Sequence, residues 1–286
     1  MRAFWSEYRR SPVAVAALAV VAAIVLLALL APLVAPQDPY DQAGLDLGDA
    51  RLPPGETGSG GYVHLLGTDG AGRDLLSAIL YGLRLSLLVA VSAGAVAFVL
   101  GAAVGLVAAY HGGRLEAAVM RAVDLQLSLP AILLALVLVA LLGQGVPQLV
   151  AALVAAQYAY FARTAFGAAK AERQKDYVEA ALSTPLPGRR VLWRHLLPNV
   201  LPPLIVVATV QVATAVSLEA TLSFLGLGLP VAQPSLGLLI ANGFQFMLSG
   251  RYWISVYPGV ALMLTVLAIN LIGDRLRQVL NPRRRR

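Results

Sequence analysis

Long uncharged runs dominate the pattern of hydrophobic and polar positions along the chain. A helix needs about 20 apolar residues to cross about 30 Å of membrane hydrocarbon. Residues 13–34 meet this length and exceed the apolar core of a signal peptide, about 7–15 residues, so we expect a retained first span. Five further spans are predicted at residues 85–110, 122–142, 148–168, 201–224 and 254–272. The pattern therefore predicts an all-α polytopic membrane protein with six transmembrane helices.

Polar stretches between these runs predict the domain organisation. Residues 236–248 are too short to cross and are expected at the membrane interface. Gly101 and Gly105, four residues apart in the second span, predict a flat helix face for close packing. The predicted divisions are an N-terminal segment (1–12), the first span (13–34), a polar segment rich in Asp, Gly and Pro (35–82), a core of five spans (83–275) and a basic tail (276–286).

Composition supports a membrane protein and excludes several kinds of site. Hydrophobic residues make up 58% of the chain and charged residues 13%, whereas soluble domains contain about 45–50% and about 25%. The chain has no cysteine, which excludes disulfides and thiolate metal sites. Its three histidines lie far apart, and the Asp residues of 35–82 lack the spacing of a calcium-binding loop. We therefore expect no metal site.

Basic residues predict the orientation, because cytoplasmic loops of membrane proteins carry an excess of Lys and Arg. With the N-terminus inside, all but four of the 22 basic residues fall on the cytoplasmic side. Those left outside are Arg51, Arg73, Arg84 and Arg251. This distribution predicts that both termini are cytoplasmic. The net charge of +7 then follows from the topology and requires no nucleic-acid partner.

The cytoplasmic segment 169–200 is longer than a simple connection requires. Its residues from about 173 to 184 favour a short helix outside the membrane, which Pro185 would end. Asp176 and Glu179 suit the N-terminal part of such a helix. An alternative is an amphipathic helix that lies on the lipid headgroups.

Several motifs resemble those of ABC importer permeases. Asp176-Tyr-Val-Glu-Ala-Ala181, followed by Leu197-Pro198-Asn199, resembles the EAA signature of that family. Pro185 departs from the signature, which has Gly there; Gly permits φ > 0 and Pro fixes φ at about −65°, so we expect the turn to use Gly188. Four other segments resemble the C-type subunit of the peptide/nickel subgroup, namely residues 66–74, 222–228, 257–259 and 267–274.

The resemblance implies an ABC type I importer permease fold in a bacterial or archaeal cytoplasmic membrane. It also implies a second permease subunit that forms a heterodimer with this one, two ATPase subunits and an extracytoplasmic solute-binding protein, besides the lipid bilayer. Substrates of the subgroup include dipeptides, oligopeptides, nickel chelates and related small solutes. The residues that the resemblance assigns to ATPase coupling are Asp176, Tyr177, Glu179, Ala180, Ala181, Pro185 and Gly188.

The chain itself lacks the residues of an ATP-binding loop. Such a loop needs Gly-Lys-Ser/Thr, because backbone amides and the Lys hold the phosphates. The only lysines, Lys170 and Lys175, follow Ala169 and Gln174. We therefore expect a non-catalytic subunit without a cofactor of its own, with ATP bound by partner subunits.

The motif at residues 66–74, which we call the extracytoplasmic motif, admits two interpretations. It could face the partner permease or the docked binding protein, or it could be an acidic connector shaped by Gly turns. Its candidate residues are Gly67, Thr68, Asp69, Gly72, Arg73 and Asp74.

Glu219 is the one clearly intramembrane charge, and such residues are functional candidates by default. It could line the translocation path or form hydrogen bonds within the helix bundle. An ion-coupled secondary transporter is the alternative function, although we find no internal repeat and one candidate acidic residue. A membrane-embedded enzyme is disfavoured because no His lies within a span. The candidate path residues are Gln211, Ser217, Glu219 and Ser223.

Overall fold

The computed structural model describes residues 2–41, 45–178, 187–230 and 233–280, and these residues are mostly helical. The bilayer core contains no water to bond the backbone N–H and C=O groups of an apolar run. Such a run forms a helix because a helix pairs these groups with one another. The helices are α1 (Arg2–Tyr8), α2 (Pro12–Leu29), α3 (Ala31–Val34), α4 (Leu75–His111), α5 (Gly113–Leu127), α6 (Ala131–Leu142), α7 (Val146–Arg173), α8 (Gly188–Val191), α9 (Leu197–Phe224), α10 (Leu236–Phe244) and α11 (Trp253–Leu280).

Five helices in the described part of the chain are long and apolar enough to cross a membrane: α2, α4, α7, α9 with the turn before it, and α11. Together α5 and α6 pass the same test as one bent pair, which gives up to six spans. The predicted six-span, all-α architecture is confirmed in this form. The first span is slightly interrupted, because Leu30 separates α2 from α3.

The third predicted span, at 122–142, is not one continuous helix. α5 ends at Leu127 and α6 begins at Ala131, and the two helices meet at 90°. Pro130 stands at the break, and a residue before proline is disfavoured in the helical conformation. With 12 residues, α6 is about 18 Å long, too short to cross alone.

Two glycines bring α4 and α7 together. A Cβ atom added to Gly101 would lie 2.5 Å from the Cβ of Phe161, and one added to Gly105 would lie 2.8 Å from the Cβ of Ala165. These distances are below van der Waals contact, so only glycine allows the observed approach. The prediction of a flat packing face on the second span is confirmed.

The cytoplasmic helix predicted at 173–184 begins later than expected. α7 continues through Arg173, and a turn at Gln174 and Lys175 follows before residues 176–178 are helical again. The predicted coupling residues Glu179, Ala180, Ala181 and Pro185 lie outside the described residues.

Candidate functional site

A cavity of about 990 Å³ opens between the C-terminal half of α7, the N-terminal half of α9 and the C-terminal end of α11. This volume is at the upper end of ligand pockets, about 300–1,000 Å³. Apolar residues of α9 form much of one wall, and groups that can form hydrogen bonds surround them. The polar lining residues are Tyr160, Thr164, Glu172, Lys175, Asn199, Gln211, Thr214, Asp274 and Arg277.

The N-terminal end of α9 is irregular where it borders this cavity. A π-helical turn, Leu192–Leu196, leads into α9, and Pro202 and Pro203 lie inside its first turns. Proline has no backbone N–H, so the carbonyls four residues earlier lose their helical partners. The N-terminal turns of α9 therefore lack some of the hydrogen bonds that hold a regular helix.

The predicted path residues on α9 fall in two different environments. Gln211 lines the cavity, and its backbone carbonyl accepts a hydrogen bond from Gln157 Nε2 at 3.1 Å. Ser217 donates back to the Ala213 carbonyl of its own helix at 3.1 Å. Glu219 and Ser223 are buried nearer the other end of α9 and do not line this cavity.

Glu219 lies at the centre of a buried hydroxyl cluster. Ser86 Oγ of α4 donates to its Oε2 at 2.6 Å, and Ser223 Oγ donates to its Oε1 at 2.8 Å. Ser235, which caps the N-terminus of α10, also forms a hydrogen bond with it. One carboxyl group thus joins α4, α9 and α10. In this chain, the intramembrane carboxyl group has the hydrogen bonds within the bundle that the second interpretation expects.

Sequence reasoning missed the lining residues on α7 and α11, such as Thr164 and Asp274. Their contribution depends on which faces of three helices meet, and hydropathy alone does not give this. Thr214 could have been found, because it lies three residues after Gln211 and so on the same face of one helix.

The extracytoplasmic motif forms a tight loop before α4. Asp69 Oδ1 accepts from the backbone N–H groups of Ala71 and Arg73, at 2.8 and 3.0 Å, and its Oδ2 accepts from Arg73 Nε at 2.7 Å. Thr68 Oγ1 accepts from the backbone N–H of Leu52 at 2.7 Å. These motif side chains are buried, and their hydrogen bonds are made within the segment that precedes α4.

Asp74 completes the loop and caps α4. Its Oδ2 accepts from the Ser77 backbone N–H at 2.8 Å and from Ser77 Oγ at 2.6 Å, and its Oδ1 lies 3.0 Å from His64 Nδ1. Gln37 Oε1 accepts from the Asp74 backbone N–H at 2.7 Å. The motif therefore ties the segment after the first span to the start of the second.

Two of the three motif glycines adopt a left-handed backbone conformation, with φ of 79° at Gly67 and 81° at Gly72. A Cβ atom at Gly67 would lie 2.5 Å from the Leu52 carbonyl oxygen, and one at Gly72 would overlap the Asp46 carbonyl oxygen. Both positions thus require glycine for conformation and for space. Nearby, the Gly48 N–H and the Ser59 side chain hold the pKa of Asp46 below its usual value by hydrogen bonding.

Three of the predicted coupling residues lie in the described part of the cytoplasmic segment. Asp176 begins the helical residues 176–178, and Gly188 packs against the Tyr110 hydroxyl so closely that a Cβ atom would not fit. Tyr177 is 43% exposed and donates a hydrogen bond to Glu172 at the edge of the cavity. Burial and the Glu172 carboxylate raise the pKa of Tyr177 to about 12, so its hydroxyl stays protonated at neutral pH.

Two family descriptions match different parts of the chain. Residues 99–286 match the binding-protein-dependent transport system inner membrane component, and residues 1–54 match the N-terminal TM domain of oligopeptide transport permease C. The second description agrees with the resemblance to a C-type subunit.

Similar proteins align over almost the whole length. The di/tripeptide transport system permease protein DppC of Pseudomonas aeruginosa is 37% identical over 99% of this chain and 92% of its own length. The dipeptide transport system permease protein DppC of Escherichia coli K12 is 38% identical over 99% and 93%. Among solved structures, the inward-facing MetNI methionine ABC transporter has a similar fold, with a TM-score of 0.58 and 24% identity over 71% of this chain and 96% of that one.

These matches confirm the type I importer permease fold and leave the ion-coupled transporter without support. The family works with a partner permease, ATPase subunits and a binding protein, and its members are permease rather than catalytic subunits. This multi-pass inner-membrane chain belongs to the family of binding-protein-dependent transport system inner membrane components and is an ABC importer permease.

Proposed function

We propose that this chain forms one half of the translocation path of an importer for dipeptides, oligopeptides or related small solutes. The observation that carries the proposal is the polar-lined cavity of about 990 Å³ between α7, α9 and α11. Its Gln211, Thr164 and Thr214 side chains offer the amide and hydroxyl groups that suit a peptide backbone. The names of the full-length relatives support peptides as the substrate class.

The remaining wall of the path comes from a second, different permease subunit. Only three helices of this chain line the cavity within its described residues, so one copy encloses half of a channel. Two ATPase subunits bind ATP and dock on the part of the cytoplasmic segment that starts at Asp176, and a solute-binding protein delivers the substrate. The ATP is bound by those partners, since the Gly-Lys-Ser/Thr sequence of an ATP-binding loop does not occur in this chain.

Both termini lie in the cytoplasm of a bacterial or archaeal cell. Six crossings, with α5 and α6 counted as one bent span, return the chain to the side on which it begins. The excess of basic residues in the predicted inner segments supports the cytoplasm as that side.

The outer motif gives the extracytoplasmic face a fixed shape on which the binding protein docks. Asp69, Arg73 and Asp74 act from the interior of the loop by hydrogen bonding, because their side chains are buried. Their role is to hold the segment rather than to contact the docked protein directly.

Reconstitution tests the proposal. The four kinds of subunit are placed in proteoliposomes, and uptake of a radiolabelled dipeptide is measured with and without ATP and the binding protein. We expect uptake that requires both, and a loss of uptake in Gln211→Leu larger than in the matched control Gln245→Leu, which alters an exposed Gln outside the cavity. Uptake driven by a proton or sodium gradient without the ATPases would contradict the proposal.

A further inference from the structure

Four side chains form a polar junction where the cavity meets the cytoplasmic segment. Glu172 belongs to the last turn of α7, Lys175 and Tyr177 follow it, and Asn199 belongs to the first turn of α9. Lys175 Nζ donates to Glu172 Oε2 at 2.7 Å and to Oε1 at 2.9 Å. We call these four residues the junction.

The Tyr177 hydroxyl forms hydrogen bonds with side chains of both α7 and α9. It donates to Glu172 Oε1 on the α7 side and accepts from Asn199 Nδ2 on the α9 side, at 2.9 Å. Asn199 Nδ2 also donates to the His195 carbonyl in the π-helical turn, at 2.8 Å. A hydroxyl that both donates and accepts fixes the cytoplasmic segment to both helices at once.

The α9 side of the junction is also the deformable side. The carbonyls of Pro198 and Asn199 lack helical N–H partners because Pro202 and Pro203 stand four residues later. π-Helical turns are frequent at functional sites. A displacement applied at Asn199 can therefore move the first turn of α9 without moving the rest of that helix.

We propose that Tyr177, held between Glu172 and Asn199, is a positioning residue that transmits movement of the cytoplasmic segment to the inner end of α9. This inference rests on the proposed docking of ATPase subunits to that segment. Displacement of the segment pulls Asn199 through the hydroxyl, and the Pro202–Pro203 wall of the cavity follows. Tyr177 thus acts through α9 and contacts neither ATP nor the transported solute.

The test uses the complete reconstituted transporter and three measurements: ATPase retained on the purified permease, ATP hydrolysed in the presence of loaded binding protein, and dipeptide imported per ATP. Tyr177→Phe removes only the hydroxyl. Tyr40→Phe is the matched control, because Tyr40 is also 43% exposed and its hydroxyl donates no hydrogen bond to the described residues. Asn199→Leu removes the other partner.

We expect Tyr177→Phe to retain the ATPase and hydrolyse ATP, while dipeptide imported per ATP falls roughly fivefold to tenfold, as the loss of one net hydrogen bond allows. Asn199→Leu should give a similar loss, and the double variant should lose little more, because both changes break one link. Tyr40→Phe should match the wild type. A purely structural role would lower the amount of folded protein and leave this ratio unchanged.

Three other results have distinct meanings. An unchanged import ratio in Tyr177→Phe would overturn the inference. Loss of the ATPase from purified Tyr177→Phe would also overturn it, since Tyr177 would then contact the ATPase itself. If the wild-type chain retains no ATPase, the proposed function fails before the junction is tested.

Discussion

Buried polar side chains and positive-φ glycines fix the extracytoplasmic loop at the scale of single residues. Gly67 is tightly constrained, because its left-handed backbone lies against the Leu52 carbonyl oxygen and the Trp253 indole. Gly55 has a similar φ of 88°, yet no atom lies within 4 Å of the place its Cβ would take. Comparing substitutions at Gly67 and Gly55 therefore separates the cost of backbone strain, which both share, from the cost of steric overlap, which only Gly67 has.

Gly67→Ala should destabilise the fold more than Gly55→Ala. Both changes force alanine into a left-handed conformation, at about 1–2 kcal/mol, and Gly67→Ala adds an overlap that costs about 1 kcal/mol or more. Thermal unfolding of the detergent-purified chain, followed by circular dichroism, checks this order. Equal melting temperatures for the two variants would show that the Leu52 contact yields without cost.

The Glu219 cluster allows a second prediction at this scale. Glu219→Ala leaves the hydroxyls of Ser86, Ser223 and Ser235 without their buried acceptor, and should lower the unfolding free energy by about 1–3 kcal/mol. Ser217→Ala, on the same helix, is the control, because Ser217 bonds only its own helix. Normal thermal stability with lost uptake in Glu219→Ala would instead place this carboxyl in the path.

Sequence reasoning found the functional residue types but not their partners. Glu219 and the loop motif stood out as candidates because charge within a span and Gly-rich acidic turns are unusual. Their contacts join positions far apart in the chain, such as Ser86 with Glu219 and Gln37 with Asp74. No local pattern records such pairs, so the sequence alone could not choose between a path residue and a bundle contact.

The long helices were predictable at the scale of elements, whereas their directions were not. Hydropathy measures the length of an apolar run, and α4, α7, α9 and α11 overlap the predicted spans. The bend between α5 and α6 lies inside an uncharged run. The hydropathy of the sequence does not fall there, so it gives no sign of the bend. Pro130 was the available signal, because it disfavours the helical conformation at Leu129.

The bent pair makes a topological prediction. The chain has no cysteine, so Arg114→Cys and Gln144→Cys each introduce one thiol at opposite ends of α5–α6. If the pair crosses the membrane, a membrane-impermeant maleimide should label Cys at 144 in intact spheroplasts and Cys at 114 only after permeabilisation. Leu65→Cys, exposed in the outer segment, is the positive control. Labelling of both ends from the same side would make the pair a re-entrant loop.

At the scale of the whole molecule, the proposed role of this chain is to form half of the translocation path, with the energy supplied by partner ATPase subunits. The chain supplies a cavity wall, a fixed outer loop and a cytoplasmic segment linked to α7 and α9 through Tyr177. The chain is similar to importer permeases over nearly its full length, which supports a role for all three parts in transport. We propose that ATPase subunits drive this chain through the residues that begin at Asp176.

Capture of the ATPase subunits by affinity-purified permease tests that claim most directly. The comparison is between the wild-type chain, Glu179→Arg in the cytoplasmic segment, and the charge-matched control Glu56→Arg in the outer segment. We expect the wild type and Glu56→Arg to retain the ATPase, and Glu179→Arg to retain roughly tenfold less, because a reversed charge in an interface opposes docking. Equal retention by all three chains, or no retention by the wild type, would contradict the account.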